Sequence, residues 1–328
     1  MSTAERLEQY YPFEQNVIDE IAEFADYQSG FESYRDFFGA VGIPEVQVVS
    51  HDGSNGATVV DVRPKDHDEK DALVMHLPMG NPLNSNQLYQ VATIAGTNPD
   101  SRVIAFGNPS SGKFRGESFT RSERKNLING ELRPLVENGL RYLEAQGVES
   151  ANEIGYSYGA LKVLASANYA AHSVDNVVSI EPVNPTRSSI KLGLVDFPST
   201  EKALGDYTGP AKEEFASFKN ARDDEPGMIA YVSGLARLTN LAIGRALAHT
   251  EYGSYAGHSL DNHAMNSLSV VWGSESELAD DTVMQEMISD MQTVYDDRVK
   301  AMRLEGQKHA MVNDPSLHAA IVKQALSR

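Results

Sequence analysis

The chain has 328 residues, a formal net charge of −18 and no cysteine. A hydrophobic content of 41 % with 25 glycines and 14 prolines is ordinary globular composition and predicts a sizeable core. Without cysteine there is no disulfide framework, no thiolate nucleophile and no cysteine-based zinc or iron–sulfur site. The acidic balance argues against nucleic-acid partners, which need clustered Lys and Arg, and against docking on an anionic membrane leaflet.

The N-terminal segment MSTAERLEQYYPFEQ lacks a basic stretch followed by an apolar one, so no secretory signal is expected. The chain has no run of about 18 apolar residues, so no membrane span is expected and a cytoplasmic location is the default. Residues 1–45 stand apart: they carry ten Asp or Glu against Arg6 and Arg35, and nine of the aromatic residues. Val17, Ile18, Ile21 and Phe24 recur at helical spacing, which predicts an acidic helix with one apolar stripe. Two readings follow, a helical extension packed on the main domain or a surface for a protein partner or a second copy of the chain.

From residue 46 the pattern turns strand-like. Val46–Val49 and Ala57–Val62 read as a hairpin, and Ala72–His76 and Val103–Phe106 as buried parallel strands with a helix at about Asn86–Gly96 between them. A helix over Leu132–Gln146, a strand over Glu153–Tyr156 and a helix over Ala160–Ala171 follow. Val174–Ile180, Leu268–Trp272 and Val299–Leu304 complete the strands. This alternation predicts an α/β fold, a mostly parallel central sheet with helices on both faces, over residues 46–184 and 264–328. Residues 185–263 break it and read as a helical cap or lid insertion, because long insertions between sheet strands usually cover a site.

Gly155-Tyr156-Ser157-Tyr158-Gly159 matches G-x-S-x-G, between a predicted strand and a predicted helix. Such a turn forces its serine into a strained backbone conformation, requires small neighbours where strand and helix collide, and sets the hydroxyl on a helix N-terminus that favours negative charge. A serine nucleophile needs a base and an orienting acid, and here the order would be Ser, Asp/Glu, His. Of the nine histidines only His309 and His318 follow the last predicted strand. His309 lies in the loop after it and is the candidate base. His318 falls within a predicted helix starting near Pro315 and reads as a surface residue.

Three motifs give the chain a resemblance to the α/β-hydrolase superfamily, in particular its capped members, from about Glu45 to the C-terminus. They are the elbow at Ser157, the KHAMVNDP segment around His309, and Val270-Val271-Trp272-Gly273-Ser274-Glu275-Ser276-Glu277-Leu278. The family often carries its acid shortly after such a strand and glycine, which implies Glu277 as the acid, with Glu275 a poorer fit. Some members carry it one strand earlier, which keeps Glu181 as a rival. The resemblance also implies two oxyanion donors, the N–H of Tyr158 and one from the loop His76-Leu77-Pro78-Met79-Gly80-Asn81-Pro82, similar to the family's H-G-x-x-G. The loop departs from that pattern at Leu77 and at Pro78, which has no N–H. Leu77 or Met79 is then the donor, with Met79 preferred, and His76 is a structural hydrogen-bonding residue.

Gly107-Asn108-Pro109-Ser110-Ser111-Gly112-Lys113 imitates a phosphate-binding loop, but Phe114 stands where Mg²⁺ binding needs Ser or Thr. No cofactor is expected. No metal is expected either, Asp280-Asp281 and Asp296-Asp297 being read as exposed helix faces. The expected function is hydrolysis of a carboxylic ester or related acyl bond of a small-molecule or lipid-like substrate through an acyl-enzyme. The alternatives are amidase or acyltransferase chemistry on the same residues, or a non-catalytic module docking through residues 1–45.

Overall fold

A computed structural model describes residues 2–31, 34–44, 47–49, 57–64, 70–78, 85–107, 119–183, 242–247, 249–276, 278–309 and 311–327. Eight strands form one sheet: β1 (Gln47–Val49), β2 (Ala57–Val62), β3 (Asp71–His76), β4 (Arg102–Phe106), β5 (Ser150–Tyr156), β6 (Ser173–Ile180), β7 (Ser267–Gly273) and β8 (Val299–Leu304). Their order is β1-β2-β4-β3-β5-β6-β7-β8. The β1–β2 and β2–β4 pairs are antiparallel and every other pair is parallel. The run from β4 to β8 thus presents all its carboxyl ends along one edge, where ligands bind in sheets of this kind.

The pleat divides the apolar residues between two layers. On one face Leu73, Met75, Val103, Ala105, Ile154, Val178 and Met302 share a core with α4 (Ser85–Thr97) and the last helix, Pro315–Leu326. On the other, Val74, Ile104 and Phe106 pack with Tyr142 and Leu143 of α6 (Glu137–Ala145), which follows α5 (Arg121–Ile128). Further along the same face Val177, Val270 and Trp272 pack with α7 (Tyr158–Tyr169), α8 (Tyr252–Asp261) and α9 (Asp281–Tyr295). Pro315–Leu326 is therefore α10. The helix expected over 132–146 is split into a short 3₁₀ turn, Arg133–Leu135, and α6, with Val136 between them at φ −124° and ψ −13°. The sequence reading missed α5, although Thr120 and Glu123 form its reciprocal capping box.

Within residues 1–45, α1 (Thr3–Glu8), α2 (Gln15–Ser29) and α3 (Tyr34–Ala40) precede the sheet. The apolar stripe of α2 turns inward: Val17, Ile18 and Ile21 join the core containing α4 and α10. His318, on α10, is buried rather than on the surface as its helical position suggested, in a helix that packs against both α2 and α4. Almost every residue of α10 is buried, and burial alone pushes the His318 imidazole down to about 4.

Of the stretch expected as a cap, residues 185–241 and 248 lie outside the described residues. Its C-terminal part, α8, packs on α7 as the crossover helix between β6 and β7. Asp281, expected on an exposed helix face, instead receives the Trp272 indole N–H at 2.8 Å and pairs with the Arg303 guanidinium at 2.9 Å. Those bonds, chiefly from Arg303, lower its carboxyl to about 2. No described helix is long and apolar enough to cross a membrane.

Candidate active site

β5 runs into α7 through Ser157, whose φ of 56° and ψ of −119° are strained for a non-glycine residue. Its backbone is pinned there, the N–H bonding the Ile180 carbonyl at 2.8 Å and the carbonyl accepting from Ala160 N–H at 3.0 Å. The flanking glycines are steric requirements. A Cβ on Gly155 would lie 2.1 Å from the Gly159 carbonyl oxygen, and one on Gly159 would lie 2.1 Å from that of His76. Strand, helix and the end of β3 thus meet backbone to backbone around the serine.

His309, in the loop between β8 and α10, places Nε2 3.0 Å from the Ser157 hydroxyl oxygen. Its Nδ1 lies 2.9 Å from Glu181 Oε2. A carboxylate only accepts, so Nδ1 carries the proton and Nε2 is left to accept from the serine O–H. The loop is also held from the elbow strand, because the Tyr156 hydroxyl donates to the His309 carbonyl at 2.6 Å.

Glu181 directly follows β6, with a positive φ of 51° and its N–H on the Val271 carbonyl at 2.7 Å. Its side chain is fully buried. Oε1 accepts from Gly273 N–H at 2.6 Å and Oε2 from the Ser276 hydroxyl at 2.5 Å, besides His309. These donors offset the cost of burying the carboxylate.

The structure therefore puts Glu181, the rival acid of the sequence motifs, against the histidine. Glu277 itself lies outside the described residues. Glu181 is set there by register: β6 is hydrogen-bonded to β5, so the residue after β6 reaches the space beside the elbow. Glu275 is exposed, and its contribution is a backbone N–H donated to the Gln307 carbonyl at 2.9 Å.

The Gly273–Ser276 turn, singled out as the source of the acid, holds both the Glu181 carboxylate and the histidine loop. A Cβ on Gly273 would lie 2.1 Å from the Gln307 carbonyl oxygen. The Ser274 N–H donates to the Leu304 carbonyl at 2.9 Å, and the Ser274 hydroxyl accepts from Gly306 N–H at 2.8 Å. Ser276 and Tyr156 lie inside the quoted motifs, but the motifs give neither of them a role.

Tyr158 opens α7, and its ring is buried among Leu127, Leu132 and Leu161, leaving only its backbone towards Ser157. Burial pushes its phenol well above the usual range. On the β3 side the Leu77 N–H is directed at the Phe106 carbonyl at 3.5 Å. Met79 and residues 80–84 lie outside the described residues, as do 108–118, which hold most of the phosphate-loop imitation.

His76 is buried at the end of β3, its Nε2 3.1 Å from Glu153 Oε2. Glu153 also accepts from the Ser166 hydroxyl at 2.7 Å, with His172 Nε2 3.4 Å away. Burial opposes ionisation of Glu153, but the bonds from His172, His76 and Ser166 together hold its carboxyl below the ordinary value. Burial likewise lowers His76, so the pair is best written as a carboxylate facing a neutral imidazole. His76 is thus committed to tying β3 to β5, away from Ser157.

Among the described residues no group of three or more His, Asp or Glu is placed to hold a metal ion.

No family model matches the chain, and no curated protein matches it in sequence. Solved structures do match in fold. An enol-lactonase from Burkholderia xenovorans LB400 superposes with a TM-score of 0.56 at 12 % identity, covering 86 % of this chain and 100 % of its own. A hydrolase from Pseudomonas aeruginosa PA01 gives 0.55 at 15 % identity, covering 87 % and 99 %. The thioesterase domain from the curacin biosynthetic pathway gives 0.52 at 15 %, covering 85 % and 99 %. With its sheet order, its elbow after β5 and its histidine loop after β8, the chain has the α/β-hydrolase fold.

Proposed function

We propose that the protein is a serine hydrolase that cleaves a carboxylic ester or related acyl bond, with Ser157 as nucleophile, His309 as general base and Glu181 as the orienting acid. The observation that carries this reading is the continuous pair of contacts from Ser157 Oγ to His309 Nε2 at 3.0 Å and from Nδ1 to Glu181 at 2.9 Å. They hang on a turn that holds Ser157 in a strained backbone conformation. The distances weigh against an inert binding module, in which hydroxyl, imidazole and carboxylate would have no reason to align.

In this reading His309 Nε2 takes the Ser157 proton as Oγ attacks the acyl carbon. The imidazolium so formed is stabilised by Glu181, and the negative charge gathers on the former carbonyl oxygen. The Tyr158 N–H at the start of α7 meets that oxygen. We assign the second donor to Met79, since the Leu77 N–H is directed at Phe106 and Pro78 has none. His309 then returns the proton to the leaving alkoxide, leaving an acyl-serine, and the same imidazole activates the water that releases the acid. Substrate choice is assigned to residues 185–263, with a small-molecule or lipid-like acyl group as substrate.

The test combines labelling with turnover. A fluorophosphonate probe is expected to modify Ser157 alone, and Ser157→Ala to lower kcat on p-nitrophenyl esters by about 10⁴-fold or more. An unlabelled Ser157, or full activity in the alanine variant, would overturn the reading.

A further inference from the structure

The acidic N-terminal segment reaches the histidine loop directly. The Arg6 side chain is buried, and its Nε lies 3.4 Å from Asp314 Oδ2. The other oxygen of Asp314, Oδ1, accepts from the N–H groups of Ser316 at 3.1 Å and Leu317 at 3.2 Å, capping α10. At the opposite end of the loop the Tyr10 carbonyl accepts the Glu305 N–H at 2.9 Å. Leu7, fully buried, lies in the same apolar cluster as Leu304, Met311 and Val312. His309 therefore sits on a span whose first residue and last residue are both fastened to residues 6–10.

The rest of the chain holds the interior of that span. Tyr156 bonds the His309 carbonyl, and Gln90 Nε2 donates to the Val312 carbonyl at 3.1 Å. The segment after α1 is itself anchored on α10: the Glu14 N–H donates to Gln324 Oε1 at 2.7 Å, and Gln324 Nε2 donates back to Glu14 Oε1 at 3.2 Å. A surface extension has no need of a buried arginine. Taking its charge out of water is costly unless the partner is fixed, and the partner is the residue that ends the histidine loop.

We infer that residues 2–13 are an intramolecular brace for the proposed base, with Arg6 as a positioning residue: Arg6 and the Tyr10 main chain clamp the two ends of the 305–314 loop and so set where the His309 imidazole stands. The inference rests on the reading of His309 as the base, and it turns inward a segment for which the sequence offered an outside partner as the alternative reading. Arg6 touches no reacting atom; it acts through Asp314 and the loop.

The experiment uses the full chain with Arg6→Met, which keeps the length of the aliphatic stem, Asp314→Asn, which keeps the capping oxygen, and the double variant. Steady-state kinetics on a p-nitrophenyl ester are read beside hydrogen exchange of peptides covering 305–313 and 153–160. Arg6→Met is expected to lower kcat about 10-fold with KM within about twofold, because small misplacement of a catalytic group is costly to rate. Exchange should rise in 305–313 and stay unchanged in 153–160. The double variant should lose little more than Arg6→Met, and Arg6→Lys should recover part of the rate. If Arg6→Met does not fold, Asp314→Asn carries the same readouts. Unchanged kcat and unchanged loop exchange in the folded variants would overturn the brace. Wild-type protein that leaves Ser157 unlabelled and hydrolyses no ester would defeat the functional reading instead, and loop exchange would still decide the brace.

Discussion

The two halves of the candidate site are held by different means. The serine half is a local device: within five residues Gly155 and Gly159 allow strand and helix to touch, and Ser157 is left with one backbone conformation. The histidine half is a distributed one. Its loop is fixed by the 273–276 turn, by Tyr156 of β5, by Gln90 of α4 and by residues 6–10, and its carboxylate comes from the end of β6. A nucleophile can be built from short-range sterics, whereas a base that must meet both a hydroxyl and a carboxylate needs the whole sheet to set its coordinates.

If that contrast is right, damage to the serine half should be the most abrupt. Gly155→Ala would push a Cβ into backbone atoms of Gly159 and Ala160 at 2.1–2.8 Å, where no side chain can move aside. The expected cost is upwards of about 3 kcal/mol, beyond ordinary overpacking. Chemical denaturation and ester turnover should show a protein both destabilised and inactive; a stable, active variant would mean that the elbow is not sterically locked. The histidine half should instead fail by degrees. Ser276→Ala removes one of three donors to the buried Glu181 carboxylate while leaving Gly273 and His309 in place. We expect kcat to fall about 10-fold, consistent with a charge-assisted bond worth roughly 1.5–3 kcal/mol, with KM little changed.

The smallest effect belongs to the Asp281 pair at the outer end of the same scaffold. Its folded carboxyl is lowered to about 2, below the ordinary value. Its stabilisation is therefore complete above about pH 4 and is lost as the pH falls through about 2. Because the pair is partly exposed, it should contribute no more than about 1 kcal/mol. The one tryptophan, Trp272, donates its indole N–H to this carboxylate, so its fluorescence should change over that window in the wild type and not in Asp281→Asn.

The same contrast explains what the sequence made legible. Strand and helix alternation, the hairpin and the parallel core follow from short-range patterns, and the elbow follows from the spacing of two glycines about a serine. Glu181 was harder, because any carboxylate within loop reach of His309 satisfies the motif, and its place beside the elbow follows from the pairing of β6 with β5, which is a tertiary fact. His318 was misread because the helices packed against α10, α2 and α4, are remote from it in sequence. Arg6 resembled any charged residue of an acidic helix until its partner was placed. Burial and partnership are tertiary facts, and one chain's periodicity does not encode who covers whom.

The most direct measurement compares kcat/KM for Glu181→Gln and Glu277→Gln on the same p-nitrophenyl ester. An amide at the true acid position can present N–H to Nδ1 and favour the wrong imidazole tautomer, a change worth about 10⁴-fold in a comparable triad. The account predicts a loss of about 10³-fold or more for Glu181→Gln and near wild-type activity for Glu277→Gln. The reverse pattern would contradict it, as would near wild-type activity in both.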